Sequence, residues 1–345
     1  MEFILINSDG HEVGPLKEKE YIDIDCGKDN TFEIRITKKY YKEMGISDGW
    51  RIGVVGKEYG GIIKKIIVNT ETDSVSLQGP TWRGMLTKKI IEPPNGEDYK
   101  IVNGDANDVI RNIVCTEFDG LFKCFGESNI LINNFKFDRY VSHLDGIEKM
   151  LLSKNSKLQI SYNSGEPNGT SFVLLHAVKI TDYSKEIEYS PDGTLSFLSF
   201  TFEEDNGGIN HLICLGKGDL KERQVIHLYE QEDGSIGDVK HFNGLDERVA
   251  TYDYPNASDE NDLVEKGIER MRELMSYKKM DMDLHNATLA GLRGVEDSIS
   301  IGDIVGGKDH DTGFYLKKQI TEKIVTVKND QEIIEYKVGG NASKV

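Results

Sequence analysis

The stretch Ser-Ile-Ser-Ile-Gly-Asp-Ile-Val-Gly-Gly (Ser298–Gly307), with the segment after it up to Gly340, decides the fold of this chain. In the last part of the segment, three apolar residues alternate with two charged ones: Ile334, Glu335, Tyr336, Lys337 and Val338. Successive side chains on a strand point to opposite faces, so the alternation predicts a strand with one buried face and one wet face. Since the turn pair Asn329–Asp330 precedes that strand, we expect a small twisted barrel or sandwich closed by a C-terminal hairpin.

Residues 1 to about 92 repeat this two-residue alternation in short runs, among them 21–26 and 32–36. Glycines and polar turns separate the runs, which is typical of a β-rich region. The segment Pro93-Pro94-Asn95-Gly96 then interrupts the pattern more strongly than any other. We therefore expect a first, tube-like β domain over residues 1–94.

Residues 95–165 differ because helical periodicity replaces the alternation. Asp105 can cap a helix whose apolar residues recur three and four positions apart: Ala106, Val109, Ile110, Ile113 and Val114. Ser142 can cap a second helix, since Asp145 follows three residues later as in a capping box. With strands flanking the second helix, this region predicts a small α/β domain.

From residue 166 onward strands resume, and one long helix interrupts them near 258–279. Ser258 is the expected cap, and Lys278-Lys279 ends the helix with charges that complement its dipole. The expected fold class is therefore α+β, mainly β. It comprises two small twisted β-barrel or sandwich domains (1–94 and 166–345), a small α/β domain between them (95–165) and one long inserted helix.

The composition excludes several classes of protein. A formal net charge of −17 repels phosphates and anionic lipid headgroups, which argues against sequence-specific nucleic-acid binding. None of the four cysteines stands in a Cys-x-x-Cys pair or a metal-ligand spacing, so reduced, buried thiols are expected. The N-terminus lacks the basic region of a signal peptide, and no window approaches the roughly 20 apolar residues of a membrane-spanning helix. We expect no membrane span.

The best candidate for chemistry is the group Asp281, Asp283 and His285, which shares one face of a predicted strand. Two carboxylates and an imidazole could hold a divalent metal. However, residues two positions apart on a strand lie roughly 6.5–7 Å apart, so their side chains splay, and no fourth ligand is evident. An amphipathic strand with a polar wet face is the better interpretation.

Three other polar segments have ordinary structural interpretations. Gly216-Lys217-Gly218-Asp219 joins two predicted strands and lacks the Ser or Thr of a phosphate loop, so a hairpin turn is expected. The runs Glu203-Glu204-Asp205 and Asp309-His310-Asp311 are interpreted as solvated turns, since a chain with 59 acidic residues produces such clusters by chance. The sequence therefore predicts no catalytic, cofactor-binding or metal-binding residue, no cofactor and no enzyme activity.

Three segments carry a resemblance that spans nearly the whole chain. In chain order they are Ser76–Leu86 followed by Ile90–Pro94, Asn210–Gly218 followed by Arg223, and Ser300–Gly307 followed by Lys317–Ile324 and Ile334–Gly339. Together they resemble the phage tail baseplate hub proteins, including the tail proteins of defective prophages of Gram-positive bacteria. The segments consist of strand and turn residues, so the resemblance concerns architecture and not a reactive site.

The resemblance implies a structural hub protein of a phage tail or a phage-tail-like particle, such as a prophage product or a bacteriocin. It implies a homotrimeric ring that joins the tail tube to the tail tip. The implied partners are the tail tube or distal tail protein, the tape measure protein and the tail tip or spike protein. The implied localisation is the host cytoplasm during assembly and then the tail tip. Neighbouring subunits of a ring can cover strand edges that would otherwise template aggregation.

Two alternatives belong to other functional classes. A tail-associated cell-wall hydrolase would carry a lysin domain beyond the hub, but the chain ends about 7 residues after the closing strand, so we expect no such domain. A carbohydrate-binding receptor protein would stack sugars on exposed aromatic side chains, and two tryptophans give this interpretation little support.

Overall fold

The computed structural model describes residues 1–165, 169–184, 188–189, 197–285, 299–308, 311–313, 315–328 and 331–338. The protein is mainly β, with 44% of residues in strands and 18% in helices, as the alternating sequence pattern predicts. By compactness the described residues form two units. Unit 1 comprises residues 1–199 and 282–338, and unit 2 comprises residues 200–281.

The strands of the first half are β1 (Ile4–Ile6), β2 (Glu12–Pro15), β3 (Lys19–Cys26), β4 (Thr31–Thr37), β5 (Arg51–Gly53), β6 (Gly60–Ile62), β7 (Lys65–Asn69), β8 (Ser74–Pro80), β9 (Ile90–Ile91), β10 (Ile101–Asp105), β11 (Phe122–Lys123), β12 (Leu131–Lys136), β13 (Val141–Ser142), β14 (Ser156–Asn163) and β15 (Phe172–Lys179). Those of the second half are β16 (Glu188–Tyr189), β17 (Phe197–Asp205), β18 (His211–Leu215), β19 (Val225–Glu230), β20 (Ile236–Gly237), β21 (Val249–Asp253), β22 (Tyr277–His285), β23 (Ile304–Lys308), β24 (Tyr315–Lys328) and β25 (Gln331–Val338). The helices are α1 (Lys38–Met44), α2 (Trp82–Leu86), α3 (Ala106–Ile110), α4 (His143–Leu152) and α5 (Glu260–Leu274).

The main sheet of unit 1 has the strand order β22-β25-β24-β3-β4-β8-β7, with β23 also paired to β24. The predicted C-terminal hairpin is confirmed, because β24 and β25 pair antiparallel from Lys328↔Gln331 upward. On its other edge β24 pairs with β3, from Lys323↔Cys26 to Lys328↔Tyr21. The last hairpin of the chain therefore extends a sheet that the first strands begin.

The expectation of a barrel is wrong. No sheet closes on itself among the residues that the structure describes. The main sheet ends at β7, which pairs with β8 alone in this part of the chain. Alternation of apolar and polar residues fixes which face of a strand is buried, but it carries no information on whether the first and last strands of a sheet meet.

The buried face of the main sheet consists of alternate residues of its strands. On β3, Ile22 and Ile24 are fully buried, and on β4 Ile34 and Ile36 are too. Val325 of β24 belongs to the same core, which explains why the closing hairpin adds to this sheet. Fully burying each such side chain contributes about 1.5–3 kcal/mol.

A second core lies around α3, α4, β14 and β15 and includes the predicted helical stripes. Asp105 caps α3 by accepting a hydrogen bond from the Asn107 N–H at 2.9 Å, and Ser142 caps α4 by accepting one from the Asp145 N–H at 3.1 Å. Both predicted caps are confirmed. After Ile110, the five residues Arg111–Cys115 continue as a π-helical turn, which the periodicity does not show.

Unit 2 contains a sheet of order β20-β19-β18-β21, and α5 packs on it. Helix α5 runs from Glu260 to Leu274, inside the expected 258–279. Its cap is Asp259, which accepts a hydrogen bond from the Asp262 N–H at 2.9 Å, and not Ser258. The helix ends before Lys278-Lys279 because β22 already begins at Tyr277.

Candidate functional site

The residues that looked most reactive in the sequence form no described site. Asp281, Asp283 and His285 lie on β22, so the predicted strand is confirmed, but their side chains are outside the described part and the amphipathic interpretation stays a prediction. Asp309 and His310 lie outside the described residues too. Within the described ranges, no group of three His, Cys, Asp or Glu side chains could hold a metal ion.

The other two polar segments have structural positions. Gly216–Asp219 forms part of the connection between β18 and β19, where the Gly216 N–H donates to the Gln224 carbonyl at 2.8 Å. The hairpin-turn interpretation is confirmed there. Glu203–Asp205 forms the exposed end of β17 and not a turn, and Glu203 accepts a hydrogen bond from the Tyr277 hydroxyl at 2.5 Å. Among the described residues, no helix is long and apolar enough to cross a membrane.

The strongest candidate for a functional surface is the open edge of the main sheet at β7. β7 pairs with β8 from Lys65↔Gln78 to Asn69↔Ser74, and the described residues contribute no neighbour on its other side. Along such an edge, unpaired N–H and C=O groups form a row that a further strand can bond. The edge is therefore a ready template for another chain.

The side chains of β7 make this edge apolar. Ile67 is 41% exposed and Val68 is 54% exposed, while Ile66 packs against the core. Because Ile67 and Val68 point to opposite faces, neither face of the strand end is covered. Natural edge strands usually carry central charges, prolines or bulges that prevent pairing. β7 has one lysine, Lys65, and it lies at the start of the strand. The centre of β7 therefore carries no charge that would prevent another strand from pairing with it.

The turn after β7 holds the edge in a fixed shape. The Asn69 side-chain oxygen accepts a hydrogen bond from the Glu71 N–H at 2.8 Å. Asp73 has a positive φ of 47° and its carbonyl accepts from the Lys38 N–H at 3.1 Å. A preformed edge loses little conformational entropy when another strand pairs with it.

The closing stretch, Ser300–Gly307, contributes Asp303 to a buried ion pair. The Lys157 ammonium lies 2.5 Å from an Asp303 carboxylate oxygen, and Asp303 is 1% exposed. Asp303 also accepts hydrogen bonds from the Ser300 N–H at 2.9 Å and the Thr181 N–H at 3.0 Å. Burial lowers the pKa of Lys157 and Asp303 opposes that shift. The Ser-Ile-Gly-Asp segment is thus an anchor that fixes the closing strands onto β14.

The segment Ser76–Leu86 contains a second buried charge. The Arg83 guanidinium, 2% exposed, donates to Glu58 at 2.6 Å and also pairs with Glu148. Burial alone would lower the pKa of Arg83, but Glu58 and Glu148 raise it. Next to Arg83, a Cβ on Gly84 would lie 2.2 Å from the Asn30 carbonyl oxygen, so only glycine fits there. The residues of this motif therefore perform packing and positioning.

The segment Asn210–Gly218 contains an imidazole pair that sequence reasoning did not find. His211 Nδ1 lies 2.8 Å from a Glu247 carboxylate oxygen, and His211 Nε2 lies 2.8 Å from His227 Nδ1. The His211 ring stacks on Tyr229 with centroids 4.4 Å apart. The pairing His211↔Tyr229 in the β18–β19 ladder brings these rings together, and no local sequence signal specifies that register.

The fold of this chain is similar to that of several proteins of known structure. No protein-family model and no curated protein matches the chain. Solved structures do match over nearly the whole chain. The tail protein of Neisseria meningitidis MC58 aligns with a TM-score of 0.55 at 13% identity, covering 99% of this chain and 96% of that one. This chain has the fold of phage tail proteins.

Two further structures agree with this result. The 43 kDa tail protein of prophage MuSo2 from Shewanella oneidensis aligns with a TM-score of 0.57 at 11% identity, covering 98% of this chain and 97% of that one. The prophage tail protein gp18 from Listeria monocytogenes EGD-e aligns with a TM-score of 0.53 at 12% identity, covering 100% of this chain and 96% of that one. The resemblance that the three sequence segments predict is confirmed at the level of the fold.

Proposed function

We propose that this chain is a structural baseplate hub protein of a phage tail or phage-tail-like particle. In this role it forms a homotrimeric ring that joins the tail tube to the tail tip. The shared fold with tail proteins supports a structural role in the tail. The open, apolar edge of β7 is the single observation that carries the assembly part of the proposal.

The edge supports assembly for a physical reason. An exposed edge strand with Ile67 and Val68 uncovered would promote uncontrolled pairing if it stayed free in the finished particle. In a closed ring each subunit can present this edge to its neighbour, so the edge is covered and growth stops. In a ring the β7 edge is an interface between subunits, whereas in a monomer it stays exposed to solvent.

The remaining parts of the proposal concern partners and place. The tail tube or distal tail protein, the tape measure protein and the tip or spike protein are the proposed partners. Assembly takes place in the host cytoplasm, and the finished protein resides at the tail tip. The division into domains at 1–94, 95–165 and 166–345 stays a prediction. The proposed role is architectural, with no catalytic step and no cofactor.

Immunogold electron microscopy of induced lysates tests this proposal, with an antibody against the chain and strains carrying Val68→Lys or Leu152→Lys. Leu152 is the matched control, because it is 50% exposed but lies on α4 and not on a strand edge. An unpaired charge buried in an interface costs more than about 1.4 kcal/mol, so Val68→Lys should reduce tip-labelled tails at least tenfold. Wild-type and Leu152→Lys tails should carry gold at the distal end.

Two results would contradict the proposal. Gold along the tail tube, on the head or only on soluble protein would remove the hub role. Normal tip labelling in the Val68→Lys strain would keep the hub role but show that β7 is not the interface between subunits.

A further inference from the structure

A histidine lies buried at the start of α4. His143 is the first residue of this helix, and its side chain is 1% exposed. Its Nδ1 atom has no hydrogen-bond partner among the residues that the structure describes. Most buried polar atoms in proteins have a partner, so an unpaired one calls for a physical explanation.

The groups that face the imidazole favour its neutral form. Its Nε2 atom lies 3.7 Å from a Glu117 carboxylate oxygen, which is too far for a hydrogen bond. The Phe118 ring meets the imidazole edge to face, with the ring centroids 6.1 Å apart. Lys89 and Lys100 also act on the ring, and both disfavour a positive charge on it. A protonated His143 would therefore lie in an apolar site near two other positive charges, with one carboxylate at a distance.

The pKa of His143 shows the same preference. Burial lowers this pKa from 6.5, Glu117 and the Ile90 backbone oppose the shift, and Lys100 and Lys89 add to it. Above pH 6.5 the imidazole is neutral in both the folded and the unfolded chain. As the pH falls below 6.5, an exposed imidazole binds a proton that the buried one does not, so the stability of the structure with His143 buried is progressively lost.

The backbone pairing next to His143 is short. β9 and β13 have two residues each and pair antiparallel, and the His143 N–H donates to the Lys89 carbonyl at 3.0 Å. After β9, residues 94–99 are exposed. A two-residue ladder beside an exposed segment opens locally at a lower cost than a strand within the main sheet. Separation of β9 from β13 would let water reach the imidazole while the main sheet stays folded.

We propose that His143 is a pH-sensitive switch between β9 and the start of α4. While the imidazole is neutral, it stays buried and β9 stays paired with β13. Protonation favours an open state, in which β9 separates from β13 and water hydrates the imidazolium. Histidine is the side chain suited to such a change at mildly acidic pH. The inference rests on the contacts around α4 and does not depend on the hub role or on the β7 edge.

Amide hydrogen exchange of the full-length protein between pH 7.5 and 5.0 tests the proposal. The His143 amide reports on the switch directly, because opening frees it from the Lys89 carbonyl. After correction for the intrinsic effect of pH on exchange, its protection should stay constant above pH 6.5 and fall below it. Uptake of one proton limits this fall to about tenfold per pH unit. At pH 5.0 the His143 amide should be at least about threefold less protected than the paired amides of β4, as expected for local opening.

Two substitutions remove the titrating group. His143→Phe keeps a ring in the apolar site, and His143→Gln keeps a polar side chain. In both variants the protection at residue 143 should be equal at pH 7.5 and 5.0. The control His11→Gln replaces an exposed histidine of unit 1 and should keep the wild-type fall. Carboxyl groups with a lowered pKa, such as Asp105, lose their contribution below about pH 3.8, outside this range.

Three results would overturn the proposal. Wild-type protection that does not change with pH would show that there is no switch. An equal fall in the wild type and in the His143 variants would assign the change to another group. Equal protection of the His143 and β4 amides would show that the site opens only when unit 1 unfolds. The first and third results need the wild-type protein alone, so they stay decisive if a variant does not fold.

Discussion

Unit 1 and unit 2 each contain a sheet packed against helices, but they differ in whether charged side chains are buried. In unit 1, Arg83, Asp303 and Glu322 are 2%, 1% and 6% exposed. In unit 2, no described Asp, Glu, Lys or Arg is buried to this degree, and the core is made by Leu212, Cys214 and their apolar neighbours. Ion pairs of unit 2 such as Lys266 with Glu269 and Arg270 with Glu273 lie at its surface.

This difference indicates which interactions determine the structure of each unit. A surface ion pair contributes about 0–1 kcal/mol, so the pairs of α5 add little to stability. A buried charge tolerates only the arrangement that pairs it, because an unpaired charge in the core costs several kcal/mol. Unit 1 thus fixes distant segments by charge, whereas unit 2 depends on the fit of its apolar side chains.

Removing the Arg83 charge should have the largest effect. Arg83→Met keeps an apolar stem but leaves the Glu58 carboxylate, 15% exposed, without its partner at 2.6 Å. Loss of one member of a buried pair costs about 3–5 kcal/mol. Urea unfolding followed by tryptophan fluorescence measures this, because the two tryptophans, Trp50 and Trp82, both lie in unit 1.

The control for this prediction is Lys149→Met. Lys149 pairs with Asp138 at 2.8 Å, but its side chain is 59% exposed. The control should lose less than about 1 kcal/mol. If the two variants lost similar free energies of unfolding, the contrast between buried and surface charge would not describe this protein.

The pH dependence of unit 1 should show the next largest effect, through Glu322. Burial and then the neighbouring Asp25 raise the pKa of Glu322 from 4.5 to about 7. Below pH 4.5 the carboxyl is protonated in both the folded and the unfolded chain, and above about 7 it is ionised in both. Since the folded state disfavours the ionised form, the stability present at low pH is lost as pH rises between these values.

Glu322→Gln isolates this contribution, because it keeps the shape of the side chain and removes the titration. In the wild type, the free energy of unfolding should fall between pH 4.5 and 8, and in Glu322→Gln this fall should be smaller by about 1–2 kcal/mol. The expected difference is less than the full pKa shift would give, because solvent near the carboxyl screens its interactions. Glu43→Gln, at an exposed residue of α1, should leave the fall unchanged. An identical pH profile for Glu322→Gln and wild type would show that burial and the neighbouring Asp25 do not raise the pKa of Glu322.

Much of unit 1 could be predicted from local sequence pattern. The alternation of apolar and polar residues in 21–26 and 32–36 predicts β3 and β4. Short polar residues before apolar helical stripes predict the caps Asp105 and Ser142. These features depend on neighbouring residues alone, so a single sequence contains them. The pairing of β24 with β3 depends on residues about 300 positions apart, and its register has no local signature.

The candidate sites were harder to predict for the same reason. That Ile67 and Val68 are uncovered follows from where the sheet ends, and no local sequence pattern shows this. The sequence around Asp303 does not indicate that it is buried and paired, because its partner Lys157 comes from β14.

The smallest effect is expected in unit 2, from Gly267→Ala. A Cβ at this position would lie 2.5 Å from Cys214 Sγ and 2.8 Å from Leu228 Cδ1. Overpacking of a core costs about 1–3 kcal/mol. Alanine is better than glycine inside a helix by about 1 kcal/mol. The net loss should therefore be about 1 kcal/mol, observed as faster amide exchange along α5.

Cys214→Ala provides the decisive comparison, because it removes the sulfur atom that the new methyl group would contact. In the Cys214→Ala background, Gly267→Ala should cost less than it does in the wild type, and it should become stabilising if the clash with sulfur outweighs that with Leu228. Residues in contact show such non-additive effects. Equal costs in both backgrounds would mean that α5 moves away from β18 as a whole, and that unit 2 accommodates an added methyl group where unit 1 could not accommodate an unpaired charge.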